Sequence, residues 1–163
     1  MSCRSLLERR VRLLVVLGSL FASIAPAVAA SPSVLAFGSS TWHELTHSNP
    51  RPLVVVFSTT DCVHCPKVID ELATALRQSN SRVRLAVVVM DGAGQERDLI
   101  KDRHYRKAHA LYAFDGDAQA LRYKVNPDWR GLTPYVALIP AHGTASFHTG
   151  SPTADVLREF LRR

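Results

Sequence analysis

Leu53-Val54-Val55-Val56-Phe57 is apolar at every position, and this run constrains the fold more than any other feature of the chain. Successive strand residues point to opposite faces of a sheet, so a strand with no polar position must be covered on both sides. Asn49-Pro50-Arg51-Pro52, just ahead of it, is a stop-and-turn signal. A second run, Val83–Met90, ends in four consecutive apolar residues and again reads as a buried strand. Between the two lies a helix: Val68, Ile69, Leu72, Ala73 and Leu76 fall on one face at 3.6-residue periodicity.

The flanking segments extend this pattern. Thr41-x-x-Glu44 has the spacing of a capping box and predicts a short helix over Trp42–Thr46. Asp91-Gly92-Ala93-Gly94 turns the chain into a charged helical stretch, Glu96–Leu111, and Ala118–Tyr123 reads as another short helix. Val125–Gly131 is a loop, followed by strands at Tyr135–Ile139 and Thr144–His148 around a turn at Pro140–Gly143. Ser151-Pro152, as N-cap and first helical residue, opens a last helix with Val156, Leu157, Phe160 and Leu161 as its apolar face. Sequential strand–helix units followed by a hairpin predict an α/β domain: a central mixed β-sheet with helices on both faces.

The first thirty of the 163 residues are of another kind. Arg4, Arg9, Arg10 and Arg12 form a basic leader, Leu13–Ile24 is apolar, and Ala27–Ala30 offers small residues for cleavage. Residues 1–29 are read as a secretory signal. The competing reading is an uncleaved membrane anchor, weakened by Gly18, Ser19, Ser23 and Pro26. Residues 30–39 are expected to be a flexible leader, and residues 40–163 a single domain. Setting the signal aside removes four arginines and one glutamate, which lowers the formal net charge from +6 to +3. That balance singles out neither nucleic acid nor a membrane surface as a partner.

Only Cys62 and Cys65 then remain, in Cys62-Val63-His64-Cys65, where the first core strand gives way to the helix. Thiols at that spacing can close a small disulfide ring, and a helix N-terminus stabilises a thiolate. The ring is too small to constrain the unfolded chain much, and the domain is large enough to hold a core without staples, so a chemical role is favoured. A static disulfide is the first alternative. Metal binding by Cys62, His64 and Cys65 with a partner such as His142 or His148 is the second. No second C-x-x-C supports it, and His64 sits in the same tight turn as both sulfurs. Haem attachment requires histidine directly after the second cysteine, where this chain has Pro66. His43, His47, His104 and His109 lie on segments read as solvated and are assigned no role. Trp129 is read as packing in preference to a groove edge.

The order of elements, the C-x-x-C after the first core strand, and Gly131-Leu132-Thr133-Pro134-Tyr135 before the hairpin together resemble the thioredoxin superfamily. The resemblance spans Ser40 to Arg163, and exported thiol reductases (TlpA/ResA-like) and periplasmic Dsb-type oxidoreductases look most similar. It implies a thioredoxin-like fold, Cys62 as the attacking thiol, Cys65 as the resolving thiol, and a cis Pro134 whose loop, with Thr133, docks an extended substrate. It also implies a redox-active Cys62–Cys65 disulfide with no organic cofactor and no metal. Protein thiols or disulfides would be substrates in the bacterial periplasm, with a second redox protein supplying or removing electrons.

The chain departs from thioredoxin at three positions. Asp61 stands where thioredoxins have Trp, Val56 where they have a buried Asp, and Pro66 follows the second cysteine. His64 and Asp61 are the expected tuners of thiol acidity. A histidine between the cysteines stabilises the Cys62 thiolate and makes the disulfide more oxidising; the Asp61 carboxylate opposes it. The direction of exchange therefore stays open. The alternative from another class is a non-catalytic thioredoxin-like binding module or a copper or zinc carrier.

Overall fold

The computed structural model describes residues 33–47, 51–79 and 81–162. The expected signal segment, residues 1–29, lies outside them. Strand β1 is Val34–Phe37, helix α1 Thr41–His47, β2 Leu53–Ser58, α2 Cys65–Gln78 and β3 Arg84–Val89. A one-turn helix α3, Glu96–Leu99, and a 3₁₀ turn, Tyr105–Lys107, lead to β4, Ala110–Phe114. Helix α4 is Ala118–Val125, β5 Tyr135–Ile139, β6 Ser146–Thr149 and α5 Ala154–Arg162.

The six strands form one mixed sheet in the order β1-β4-β3-β2-β5-β6. The first four positions are parallel, β5 runs antiparallel to β2, and β6 antiparallel to β5. The apolar run that demanded burial on both faces is the centre of the sheet, and its period of two divides the interior. Val54 and Val56 point to a core built with Val68, Ile69 and Leu72 of α2, Leu99, Tyr105 and Phe160 of α5. Leu53, Val55 and Phe57 point to the other core, closed by Leu121 and Val125 of α4 with Trp42 and Leu45 of α1 against it. Full burial of such a side chain stabilises the fold by about 1.5–3 kcal/mol.

Helix α2 forms where its periodicity predicts, burying Val68, Ile69, Leu72, Ala73 and Leu76. Pro66 is its second residue and costs little there, because an N–H in the first turn has no intrahelical acceptor. Ser79 ends it, its N–H bonded to Ala75 O and its hydroxyl to Leu76 O.

Four expectations need correction. The stretch read as a flexible leader contains β1, an edge strand paired with β4, with Phe37 almost wholly buried. The expected helix Glu96–Leu111 stops after one turn. Asp102 Oδ1 accepts the N–H groups of His104 (2.7 Å) and Tyr105 (3.1 Å), a local arrangement that competes with helix propagation. The chain then enters β4, whose Leu111, Ala113 and Phe114 are buried between β3 and β1. Strand β4 lies within the 68 residues that separate Cys65 from Pro134. Helix α1 begins at Thr41, and the Ser40 hydroxyl, not Thr41, bonds the Glu44 carboxylate at 2.6 Å. Helix α5 begins at Ala154, where the Thr153 hydroxyl accepts the Val156 N–H; Pro152 is buried ahead of it.

Candidate active site

Ser58 ends β2, and four residues later the chain reaches Cys62. The turn is held by its own backbone: Cys62 N–H donates to Thr59 O at 3.3 Å, and Cys65 N–H to Cys62 O at 3.2 Å. Cys62 and Cys65 are joined in a disulfide with their Cα atoms 5.4 Å apart. The two sulfur-bearing residues differ in access. Cys62 is half-buried, whereas Cys65, the first residue of α2, is 0% exposed. A nucleophile from another molecule meets Cys62 first.

His64 is the N-cap residue of α2, but its side chain caps nothing, and both it and Asp61 are exposed. Val63 is 82% exposed at the tip of the turn. Val56, six residues before Cys62, is completely buried among apolar side chains, so no carboxylate lies at that position beneath the site. The buried polar residue on that strand is Ser58, whose hydroxyl lies 3.4 Å from that of Tyr105. Burial pushes the Tyr105 hydroxyl above its ordinary range, so it stays protonated.

The Thr133–Pro134 peptide is cis, as is Arg51–Pro52. Pro134 is buried and Thr133 half-buried. Antiparallel pairing matches Phe57 with Tyr135, which carries Thr133 toward the segment that follows β2. Thr59 and Thr133 meet there, their hydroxyl oxygens 3.5 Å apart. The sheet register thus brings the proline loop to the turn that holds Cys62. Trp129 supports this loop from inside: its Nε1–H donates to Leu132 O at 3.0 Å, and its ring stacks on Tyr135 with centroids 4.5 Å apart. The packing reading of Trp129 agrees with its burial.

One residue at the site had no signal in the sequence beyond a turn. The Asp91 carboxylate, just past β3, accepts the Thr60 N–H at 2.9 and 3.2 Å and the Thr60 hydroxyl at 2.5 Å. It straps down the residue two before Cys62. Gly92 follows because a Cβ there would stand 2.7 Å from Leu99 Cδ1.

Comparison with known proteins agrees with this architecture. The chain is 35% identical over 120 residues to a protein disulfide-isomerase, erp38, of Neurospora crassa; the match covers 71% of this chain and 32% of that protein. The chain thus spans about a third of the length of the curated relative it matches. A thio-disulfide isomerase from Thermus thermophilus superposes with a TM-score of 0.51 at 19% identity, over 69% of this chain and 78% of the other. A thioredoxin-like protein from Porphyromonas gingivalis gives 0.52 at 18% identity, over 69% and 76%. No model of a known protein family matches the chain. A six-stranded mixed sheet flanked by helices, with a C-x-x-C disulfide opening a helix beside a cis-proline loop, is a thioredoxin-like fold, and this chain has it.

Proposed function

We propose that the chain is an exported thiol–disulfide oxidoreductase that exchanges disulfides with protein thiols through Cys62 and Cys65. The observation that carries this reading is the unequal access of the two cysteines at the start of α2. In the oxidised protein, a substrate thiolate attacks Cys62 Sγ, the Cys62–Cys65 bond breaks, and Cys65 leaves with the electron pair and takes a proton. The second substrate thiolate then attacks the substrate sulfur of the mixed disulfide and releases Cys62. Two electrons pass from substrate to protein, and the substrate gains a disulfide. The reverse sequence starts from a Cys62 thiolate and reduces a substrate disulfide, with Cys65 resolving the intermediate.

Each residue has a part in this. The N-terminal end of α2 favours negative charge at the sulfurs. His64 and Asp61 act on Cys62 in opposite senses, and the Thr133–Pro134 loop receives the chain flanking the substrate cysteine. No organic cofactor is needed; a second redox protein resets the pair. Export rests on the basic, apolar and small-residue sequence of residues 1–29, and the periplasm is the compartment that fits a thiol chemistry of this kind.

Insulin reduction and dithiol-peptide oxidation with wild type, Cys62→Ser and Cys65→Ser test the proposal. Cys62→Ser should abolish both reactions, and Cys65→Ser should accumulate a mixed disulfide with substrate. Turnover that survives Cys62→Ser refutes the assignment, as does a wild type inactive in both directions. The equilibrium potential against glutathione sets the direction: about −270 mV marks a reductant, about −120 mV an oxidant.

A further inference from the structure

Tyr105 and Ser58 are buried hydroxyl residues that no step of the exchange described above uses. Alternation along β2 turns Ser58 to the same face as Val54 and Val56, the face that α2 covers. Tyr105 reaches it from the 3₁₀ turn. Asp102 anchors that turn through the Tyr105 N–H, and Lys107 and His104 tie it to Asp70 of α2.

The direction of the hydrogen bonds follows from the acceptors. The Ser58 hydroxyl donates its single proton to Thr59 O at 3.2 Å, since a carbonyl can only accept. Ser58 Oγ therefore meets Tyr105 as an acceptor, and the phenol supplies the proton across 3.4 Å. Burial keeps that phenol protonated, as a donor must be. Thr59 O also accepts the Cys62 N–H at 3.3 Å, so its two lone pairs are divided between Ser58 and Cys62. The Thr59 hydroxyl reaches the other way, to within 3.5 Å of the Thr133 hydroxyl in the cis-proline loop. Thr59 is the junction: Tyr105 and Ser58 act on one side of it, Cys62 and the loop stand on the other. Each contact is long for a hydroxyl bond, so none holds the turn alone. Their weight comes from burial, because water cannot replace a partner lost at Ser58.

We propose that Tyr105 and Ser58 are positioning residues for Cys62, fixing its turn through Thr59 so that the sulfur and the Thr133–Pro134 loop face a substrate together. This rests on the thiol–disulfide exchange reading of the site. It is separate from the hold of Asp91, which grips the neighbouring Thr60 from an exposed position.

The test compares the full chain with Tyr105→Phe, which keeps the ring in the core and removes only the phenol oxygen. Solvent exchange of the Cys62 amide is read by nuclear magnetic resonance, and single-turnover exchange with a disulfide-bonded peptide by stopped flow, both at a temperature where every variant is folded. Tyr105→Phe should speed Cys62 amide exchange and slow peptide exchange, each by about threefold to tenfold. Ser58→Ala should do at least as much. Adding Tyr105→Phe to it should slow the peptide reaction no further, because the chain of bonds is already cut. Val83→Ala, a buried truncation at the end of the sheet away from the site, should lower the melting temperature and leave both rates unchanged. The proposal is overturned if Tyr105→Phe leaves the Cys62 amide and the peptide rate at wild-type values. It is also overturned if the two substitutions slow exchange independently, or if Val83→Ala slows it as much as Tyr105→Phe. A wild type that exchanges no disulfides overturns the oxidoreductase reading itself, an outcome distinct from an active wild type with an equally active Tyr105→Phe.

Discussion

Asp91 is the residue whose removal tests most directly how the turn bearing Cys62 is held. Its carboxylate accepts from two donors of Thr60, the N–H and the hydroxyl, and Thr60 lies two residues before Cys62. Asp91→Ala deletes the acceptor for both. Hydrogen bonds to a charged group contribute about 1.5–3 kcal/mol each when shielded. Asp91 and Thr60 are exposed, so water replaces much of what is lost, and about 1–2 kcal/mol for the pair is the appropriate scale. If that energy holds Cys62 in the geometry for attack, exchange slows by a factor of about 5–30. The melting temperature should fall by a few degrees. Asp91→Asn keeps one carbonyl acceptor for the Thr60 N–H and should recover most of the rate. Single-turnover exchange with a small disulfide, read by stopped flow beside thermal unfolding, gives both numbers. A lowered melting temperature with exchange within twofold of wild type would show that the strap stabilises the fold without positioning Cys62. No change in either quantity would refute the strap itself.

Trp129→Ala should cost about 3–5 kcal/mol, since it empties the space between Phe57 and Tyr135 beneath the cis-proline loop. Trp129→Phe keeps a ring there and loses the bond to Leu132 O, about 1 kcal/mol; equal urea midpoints for the two variants would contradict this ordering. Asp70 receives Lys107 Nζ at 2.6 Å and His104 Nδ1 at 2.9 Å, which ties the segment ahead of β4 to α2. Burial works to raise the Asp70 carboxyl, but the bonds and charge from Lys107 and His104 hold it below the ordinary value of 3.8. A depressed carboxyl stabilises the fold above its unfolded value and loses that contribution as the pH falls through the folded one. Wild type should therefore exceed Asp70→Asn in stability at pH 7, and the gap should close below pH 3.8. A gap that does not change with pH removes the ion-pair explanation.

Much of the fold was legible because burial and periodicity speak through single segments. Strand β5 has the bounds expected, Tyr135–Ile139, because it is apolar throughout and is stopped by Pro134 and Pro140. The buried face of α2 was legible for the same reason. Strands β1 and β4 were not. Val34–Phe37 is short, and its one buried residue, Phe37, gives no pattern by itself; it becomes a strand by pairing with β4, whose residues lie 77 positions further on. Strand β4 was hidden because Glu96–Lys107 is rich in charge and helix formers, so the period of a helix was carried on into residues that the sheet needs. Side chain to backbone bonds from Asp102 decide that boundary, and they leave no mark on hydrophobic periodicity.

At the site, the cysteine pair and the Thr-Pro step were legible because one is a local spacing and the other a recognisable loop. Asp91 was not, because its partner is 31 residues away and any acceptor at the end of β3 would have read as a turn. The structure also sharpens what can set the direction of exchange. Cys65 is wholly enclosed, and burial disfavours a thiolate, so in the reduced pair the charge belongs on Cys62. Asp61 and His64 flank that charge from exposed positions, where water and salt weaken their fields. Exposed charge interactions contribute about 0.2–1 kcal/mol, equivalent to about 4–20 mV for a two-electron couple. Asp61→Asn should raise the potential and His64→Ala lower it, each by no more than that amount, and 1 M salt should shrink both shifts. A change of 50 mV or more at either position, retained in high salt, would mean that the side chain contacts the sulfur directly instead of acting through solvent.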